Sequence, residues 1–286
     1  MVIKALVKRH LLIYVRDRWA VFFSFLSVII ILGLFMLFLQ HAFGGDFAQQ
    51  PHAEYLTHSW IISGVLMVSS VTVPLGFLGM MVLDLENKRI NDFYVAPLKR
   101  HTIVLSYLLA AFSIGMTFSL INLVIGQVYL YLRFGFLLAP LTWLALLGLV
   151  ALSTLLFSSL FFYAVSFIKT ANAHSTLSTL VGTLIGFLAG LYVPIGNLGT
   201  VTRNVLSALP TMQVISAIRI VYLEDALTRV FGDQVDFRSF YESLLGIQLR
   251  FSDTVVPFWL TLVMIVGWIV LFMGLSMRRL TYFKKQ

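Results

Sequence analysis

Six apolar stretches, each about twenty residues or longer, occupy most of this chain of 286 residues, and the centre of none carries a charge. They cover residues 21–39, 60–83, 103–131, 141–168, 176–194 and 256–277. A bilayer core about 30 Å thick is crossed by about 20 helical residues, and in lipid such a run satisfies its backbone hydrogen bonds only as a helix. The sequence therefore predicts an all-α transmembrane protein with six spanning helices.

The composition agrees with this prediction. Hydrophobic residues make up 59% of the chain and charged residues 11%, whereas soluble domains are about 25% charged. The apolar runs follow one another without a soluble insert, so we expect a single transmembrane domain over residues 1–286. The chain contains no cysteine, which excludes disulfides, thiolate catalysis and cysteine-ligated metal sites.

The distribution of positive charge predicts the orientation in the membrane. An even number of crossings puts both termini on one side, and that side holds fourteen of the 20 Lys and Arg residues. By the positive-inside rule both termini are cytoplasmic, in a multi-pass protein of the cell membrane. The basic net charge then favours membrane lipids, and not nucleic acid, as partners. The fourteen cations are Lys4, Lys8, Arg9, Arg16, Arg18, Lys88, Arg89, Lys99, Arg100, Lys169, Arg278, Arg279, Lys284 and Lys285, and the six external ones are Arg133, Arg203, Arg219, Arg229, Arg238 and Arg250.

Two segments outside the predicted spans have an apolar pattern of their own. Residues 1–20 combine apolar and basic positions as an amphipathic helix in the membrane interface does, although a merely basic flank would also fix orientation. Residues 195–255 form the longest non-spanning piece and are predicted to be external. Within it, residues 198–209 are too short to span and stop before Pro210, which favours a re-entrant or interfacial helix.

The cytoplasmic loop 84–101 reads DLENKRINDFYVAPLKRH. It is dense in charge of both signs and still carries apolar anchors, among them Phe93, Tyr94 and Leu98. A short helix with such anchors is suited to docking in a groove of a soluble partner. A solvated interfacial loop is the alternative that the loop's own residues leave open.

The order of motifs along the chain carries a resemblance. A basic amphipathic start and two spans precede Glu86, Arg89 and the run Ala-Pro-Leu-Lys-Arg at 96–100; after three more spans come Gly-Leu-Tyr-Val-Pro at 190–194, Leu-Pro at 209–210 and Ile215. This order resembles the ABC type-2 transporter permease family, six-helix exporter subunits that work with a separate ATPase. The resemblance covers nearly the whole chain. It departs from the family pattern at Ile90-Asn91, where relatives have a glycine followed by a small residue.

The resemblance implies partners and site residues. In that family the loop after the second span is the coupling helix that contacts the ATPase. The implied coupling residues are Asp84, Glu86, Arg89, Phe93, Tyr94 and Pro97. The implied partners are a cytoplasmic P-loop ATPase, which would hold ATP and Mg²⁺, and a second permease copy or a paralogue that completes a dimer. This chain itself would hold no cofactor.

The resemblance also implies that spans two and five flank the pathway of the dimer. Gly182, Gly186 and Gly190 recur every four residues, so we expect them to share one helix face and permit close helix packing; packing against a neighbouring span of the same chain is the alternative. From position alone, the expected apolar pathway wall consists of Met67, Val71, Phe77, Leu184, Phe187 and Leu191.

Polar residues inside the spans are hydroxyls and amides, without a mid-membrane acid or base. Ion-coupled carriers normally place ionisable groups there, so a secondary transporter is the less favoured alternative. Asn122 and Gln127 are expected to form interhelix hydrogen bonds and not to contact substrate. His41, His52 and His58 share a loop but lack the spacing of a metal site.

Catalytic motifs are absent from the sequence. It contains neither the Gly-x-x-x-x-Gly-Lys-Ser/Thr phosphate loop nor a Gly-x-Ser-x-Gly elbow. We therefore predict that the chain is not an enzyme but the membrane subunit of an ATP-driven exporter. The apolar pathway wall favours an apolar or amphiphilic cargo such as a drug, a lipid or a toxin. A membrane scaffold without transport activity remains a further alternative.

Overall fold

A computed structural model describes residues 2–19, 21–22, 26, 29–30, 33, 50–90, 100–192, 194–232, 234–252 and 254–282. Most of the first predicted span, 21–39, lies outside these residues. So do positions 91–99 of the predicted coupling loop, including Phe93, Tyr94 and Pro97.

The described part of the chain is almost entirely helical, as the sequence predicts. The helices before the predicted external segment are α1 (Val2–Arg16), α2 (Ala53–Glu86), α3 (Arg100–Phe134), α4 (Pro140–Val165) and α5 (Ala171–Leu188). A 3₁₀ turn (Ile195–Asn197) follows, and then α6 (Thr200–Ala208), α7 (Pro210–Tyr222), α8 (Glu224–Phe231) and α9 (Val235–Leu244). A two-stranded antiparallel hairpin, β1 (Arg250–Phe251) and β2 (Thr254–Val255), leads into α10 (Phe258–Tyr282).

Helix α2 is the centre of the bundle. It packs against α3, α4, α5 and α7, and Trp60, Met67 and Phe77 are fully buried along its length. A helix that is apolar on every side is expected to be enclosed by other helices or lipid. Here the neighbouring helices of the same chain enclose most of it.

Amide and hydroxyl side chains join α2, α3 and α7. Asn122 on α3 donates to Ser69 Oγ on α2 at 2.7 Å, and Gln127 donates to the Tyr222 hydroxyl on α7 at 2.8 Å. The predicted interhelix role of Asn122 and Gln127 is confirmed. Buried amides need such partners because moving an unpaired polar group from water into hydrocarbon costs about 2–7 kcal/mol.

Helix α5 is shorter than the predicted fifth span. It ends at Leu188, and Gly190 lies beyond it with a φ of 59°. The Leu191 N–H donates to the Gly186 carbonyl at 2.8 Å and the Gly190 N–H to the Phe187 carbonyl at 3.0 Å. These two bonds form the Schellman motif that ends many helices at a glycine. The predicted stacking of Gly182, Gly186 and Gly190 on one helix face is therefore wrong for Gly190.

The segment 195–255 is partly enclosed by the other helices. Helices α6 and α7 meet at an angle of 89°, and α7 packs inside the bundle against α2, α4 and α10. Pro210 starts α7 at a position where its missing N–H needs no partner. The bend fits either a re-entrant pair or one broken span.

The number of crossings follows from length and apolarity. Four described helices, α2, α3, α4 and α10, are long and apolar enough to cross a membrane, and the bent pair α6–α7 would be a fifth if it is one span. Helix α5 has 18 residues but carries several hydroxyls. The chain is a multi-pass membrane protein, and the count of six spans stays a prediction.

Candidate functional site

The end of α2 that leads into the predicted coupling loop is fixed by a buried carboxylate. The side chain of Asp84 is 3% exposed. Its Oδ2 accepts from the Tyr107 hydroxyl of α3 at 2.6 Å and from Nη1 of Arg9 of α1 at 3.3 Å. A buried carboxylate is tolerated only with such partners. Asp84 therefore ties α1, α2 and α3 together at one point.

His10 completes this cluster, which we call the inner hub (Arg9, His10, Asp84 and Tyr107). Its ring is fully buried and stacks on Tyr107 with a centroid distance of 4.0 Å. Arg9 Nη1 lies 3.2 Å from Nδ1, and Ser106 Oγ lies 3.2 Å from Nε2. The Ser106 hydroxyl itself donates to the Ile103 carbonyl. A neutral ring protonated on Nε2 satisfies all three bonds.

The electrostatics of the inner hub agree with that protonation state. Burial first, and the positive charge of Arg9 second, lower the pKa of His10 to about 4, against an opposing effect of Asp84. The ring is thus neutral at physiological pH. The Arg9 guanidinium, one third exposed, then faces the Asp84 carboxylate without a second cation beside it.

The same end of α2 also holds the start of α5. Glu86 Oε2 accepts from the Ala171 N–H at 2.9 Å. A carboxylate at this position satisfies one of the free N–H groups of the first turn and interacts favourably with the helix dipole. Thr170 caps the same turn through the Ala173 N–H.

A second contact joins α5 to α2 about one turn further into the bundle. His174 is buried, and its Nε2 lies 3.0 Å from the Leu75 carbonyl oxygen. Its ring occupies the space beside Gly79, where an added Cβ would lie 2.7 Å from the ring Cε1. The glycine therefore permits this close approach. Movement of the α2 end would be transmitted to α5 at both contacts.

A half-open cleft of about 250 Å³ adjoins these contacts between α1, α2 and α5. Ile13 and Tyr14 line it from α1, Phe77 and Met80 from α2, and His174 from α5. Its walls are mainly apolar. Among the described residues, no group of three or more His, Asp or Glu side chains could hold a metal ion.

The predicted coupling residues divide into three sets. Asp84 is buried and paired inside the chain, so it cannot contact an ATPase while the inner hub is intact. Glu86 and Arg89 are exposed at the start of the loop. The remaining three, Phe93, Tyr94 and Pro97, lie outside the described residues.

The predicted pathway residues also divide. Leu184 and Phe187 are 51% and 54% exposed on α5. The other four are enclosed within the chain and at most 1% exposed: Met67, Val71, Phe77 and Leu191. Of these, Phe77 borders the half-open cleft between α1, α2 and α5.

Sequence reasoning missed two sets of residues. Arg9, His10 and Tyr107 were not singled out, because nothing in the sequence brings α1 and α3 to Asp84. A polar stripe on α5 was also missed, although its spacing is visible in the sequence. The stripe consists of exposed side chains at helical intervals of three and four: Asn172, Thr176, Thr179 and Thr183.

The stripe distinguishes the exposed face of α5 from that of α10. The hydroxyls of Thr176, Thr179 and Thr183 donate to the carbonyls four residues earlier, which leaves their oxygen lone pairs outward as acceptors. The exposed side chains of α10 include Trp259, Val263, Val266 and Val270, and are suited to lipid. The α5 face instead fits water, a polar cargo or a second protein surface.

The family model described as ABC-2 type transporter matches residues 1–223. The chain belongs to the ABC-2 type transporter family. The matched part of this ABC-2 permease runs from α1 through α7 and contains the inner hub, α5 and the bent pair. A search of curated proteins found no match.

Membership defines the class of the protein. An ABC-2 membrane domain is the transmembrane transport subunit of an ABC-type transporter, and this family normally works with an ATP-binding subunit. In this permease, the inner hub and the contacts of Glu86 and His174 join α2 to α1, α3 and α5 near the loop after α2.

Proposed function

We propose that this ABC-2 permease is the membrane subunit of an ATP-driven exporter. Two copies, or one copy and a paralogue, would surround the pathway. Two cytoplasmic ATPase subunits, which bind ATP and Mg²⁺, would act on the loop 84–101. Both termini would lie in the cytoplasm and the cargo would leave the cell.

The observation that carries this proposal is the anchoring of the α2 end. Asp84 binds α1 and α3, and Glu86 binds the start of α5. A loop that merely connects α2 to α3 would not need bonds to three other helices. A force applied at 84–101 would move α1, α3 and α5 together, which is what a coupling element must do.

The exposed face of α5 supports a place beside the pathway or the second copy. Hydroxyls facing lipid would have acceptors that nothing satisfies. The apolar side chains Leu180, Leu184 and Phe187 lie next to the polar stripe. A wall of this mixed character favours an amphiphilic cargo over a wholly apolar one.

A secondary transporter is the second candidate, and two observations bear on it. Asp84 and Arg219 are ionisable groups buried in the bundle. Asp84 is paired with Arg9, and an arginine keeps its proton under physiological conditions. Arg219 is therefore not suited to load and release a proton during transport.

The proposal is tested with the permease and its ATPase in proteoliposomes. Replacing both Phe93 and Tyr94 by Ala should abolish association with the ATPase, because the apolar anchors of the loop are removed. Glu86→Lys should preserve association but reduce ATP-driven transport, because a cation replaces the acceptor at the α5 N-terminus. Lys88→Ala, at an exposed neighbouring position, is the control. Transport driven by a pH gradient without ATP would overturn the proposal in favour of the second candidate.

A further inference from the structure

Arg219 on α7 is a fully buried cation. Its Nη1 donates to the carbonyls of Leu245 at 3.0 Å and Gly246 at 3.4 Å, and its Nη2 donates to the Gly190 carbonyl at 3.4 Å. The guanidinium lies over the Trp60 ring, 4.6 Å from the centroid. Among the described residues, no carboxylate pairs with it and its Nε has no acceptor.

This arrangement is costly for a purely structural contact. Replacing a buried charge by an apolar side chain of similar volume is often neutral or stabilising. Carbonyl oxygens neutralise a cation only in part, and the Nε–H of Arg219 is left unsatisfied. What a guanidinium offers in return is a planar fork that reaches several separated acceptors at once.

The acceptors belong to separate parts of the bundle. Gly190 is in the turn that ends α5, whereas Leu245 and Gly246 form the turn after α9. Trp60 of α2 donates its own Nε1–H to the Leu245 carbonyl at 3.0 Å. Arg219 is therefore the point where α2, α5, α7 and the segment after α9 meet.

The outer end of α5 rests on α2 through one more contact. Leu191, directly after Gly190, is fully buried and its side chain fills the place that a Cβ on Gly64 would occupy. The end of α5 is thus held by an apolar side chain in a glycine notch and by one long hydrogen bond to Arg219. At 3.4 Å that bond is beyond the usual N–H···O range, whereas the bond to Leu245 at 3.0 Å is typical. The contact with α5 is the weaker one.

We propose that Arg219 is a positioning residue of an outer gate: it holds the outer end of α5 against α2, and transport requires release of the Gly190 carbonyl from its guanidinium. This inference rests on the proposed function, in which α5 lines the pathway. Arg219 touches no cargo. It remains on the Leu245 and Gly246 carbonyls while α5 moves away, so that the guanidinium keeps acceptors in both states.

The experiment measures access to α5 from outside and needs no known cargo. Thr183→Cys places a single thiol on the exposed face of α5 in a chain without native cysteine. The permease and ATPase are reconstituted, and the rate of labelling by an impermeant methanethiosulfonate is measured with and without ATP. We expect ATP to raise the rate. Adding Arg219→Lys should raise the ATP-free rate about three- to tenfold, the effect of losing one hydrogen bond that favours one of two states.

Two further variants keep the test decisive. Arg203→Lys is the matched control, because that guanidinium donates to the Ser252 carbonyl at 3.0 Å away from α5; its labelling rate should not change. The second variant adds Gly64→Cys and Leu191→Cys to the Thr183→Cys protein, and this added pair is oxidised to a disulfide before labelling. The disulfide should fix the end of α5 and abolish the effect of ATP on the labelling rate. Reduction of the disulfide should restore that effect. This pair does not depend on the folding of Arg219 variants.

The outcomes separate the gate from the proposed function. If ATP never changes labelling of the parent Thr183→Cys protein, the proposed function is overturned, and the gate with it. If ATP changes labelling but Arg219→Lys matches the parent and the oxidised pair still responds to ATP, the assignment of Arg219 alone is overturned. A raised ATP-free rate with the control unchanged supports the gate.

Discussion

At the scale of single residues, burial separates what Asp84 does from what its position in the loop motif implies. Placed beside Glu86 and Arg89, it resembles a surface charge ready for a partner. Its carboxylate is instead enclosed by Tyr107 and Arg9. The proposed docking role therefore falls to residues further along the loop, and Asp84 fixes the base from which the loop extends.

The Arg9–Asp84 pair gives a stability prediction with a built-in control. Arg9→Met leaves the buried carboxylate of Asp84 without its cation, so we expect the free energy of unfolding to fall by about 1–3 kcal/mol. In an Asp84→Asn background, Arg9→Met should lower the free energy of unfolding by less, because no buried negative charge is then left unpaired. Thermal unfolding in detergent measures both steps. Equal losses in the two backgrounds would show that the two side chains are not coupled, and Lys8→Met, at an exposed site, should change little.

His10 makes the stability depend on pH in a defined window. Its pKa in the folded protein is about 4, below the ordinary 6.5, chiefly because of burial. As the pH falls below 6.5, the unfolded chain takes up the proton first, so the folded state loses stability between pH 6.5 and 4, by at most about 3 kcal/mol. His10→Gln should flatten this part of the unfolding profile. An unchanged slope in that variant would assign the pH dependence to other groups.

At the scale of elements, apolar runs predicted helix positions well and helix ends poorly. The runs 60–83, 103–131, 141–168 and 256–277 correspond to α2, α3, α4 and α10 because hydrophobic length alone determines where such helices form. The end of α5 could not be obtained this way. Gly190 continues a four-residue glycine spacing, yet its positive φ ends the helix, and only the three-dimensional contacts of Leu191 and Tyr192 explain why.

The two glycines Gly190 and Gly182 should respond in opposite directions to the same change. Gly190→Ala places a residue with a Cβ in a left-handed backbone conformation, so we expect the free energy of unfolding to fall by about 1–2 kcal/mol. Gly182 lies inside α5, and a Cβ added there would have nothing within 4 Å. Gly182→Ala should therefore raise the free energy of unfolding by about 0.5–1 kcal/mol. Melting temperatures of the two variants test this. Destabilisation by Gly182→Ala would mean that another surface covers this face of α5.

Helix α7 shows that counting charges along the sequence does not predict which of them are buried. Arg219 was assigned to the external side because it lies in the non-spanning segment 195–255, opposite the side that holds both termini. It lies inside the bundle, since carbonyls from two turns and the Trp60 ring replace the solvent. Sequence reveals the composition of such a segment but not which neighbours can satisfy its polar groups. Burial within the bundle does not determine the side of the membrane, so the external assignment of Arg219 stays a prediction. On α9, polar positions such as Asp236 are exposed.

At the scale of the whole molecule, the orientation is open to a direct test. A single cysteine at Asp236 should react with an impermeant thiol reagent on intact cells, and one at Lys88 should react only after permeabilisation. Both positions are exposed, and the absence of native cysteine removes background labelling. The charge distribution is the physical reason for this expectation. Labelling in the reverse pattern would invert the proposed direction of transport as well.

The final prediction concerns what surrounds the bundle. Thr179 on α5 and Val266 on α10 are both exposed on the single chain, but their neighbours differ. Thr179 belongs to a stripe of outward acceptors that lipid cannot satisfy, whereas Val266 lies among apolar side chains that lipid covers well. A cysteine at Thr179 should therefore react with a water-soluble thiol reagent in permeabilised membranes, or cross-link two copies under oxidation. A cysteine at Val266 should do neither. If Thr179→Cys were as inert as Val266→Cys, α5 would face lipid and the pathway would have to be sought along another helix of the bundle.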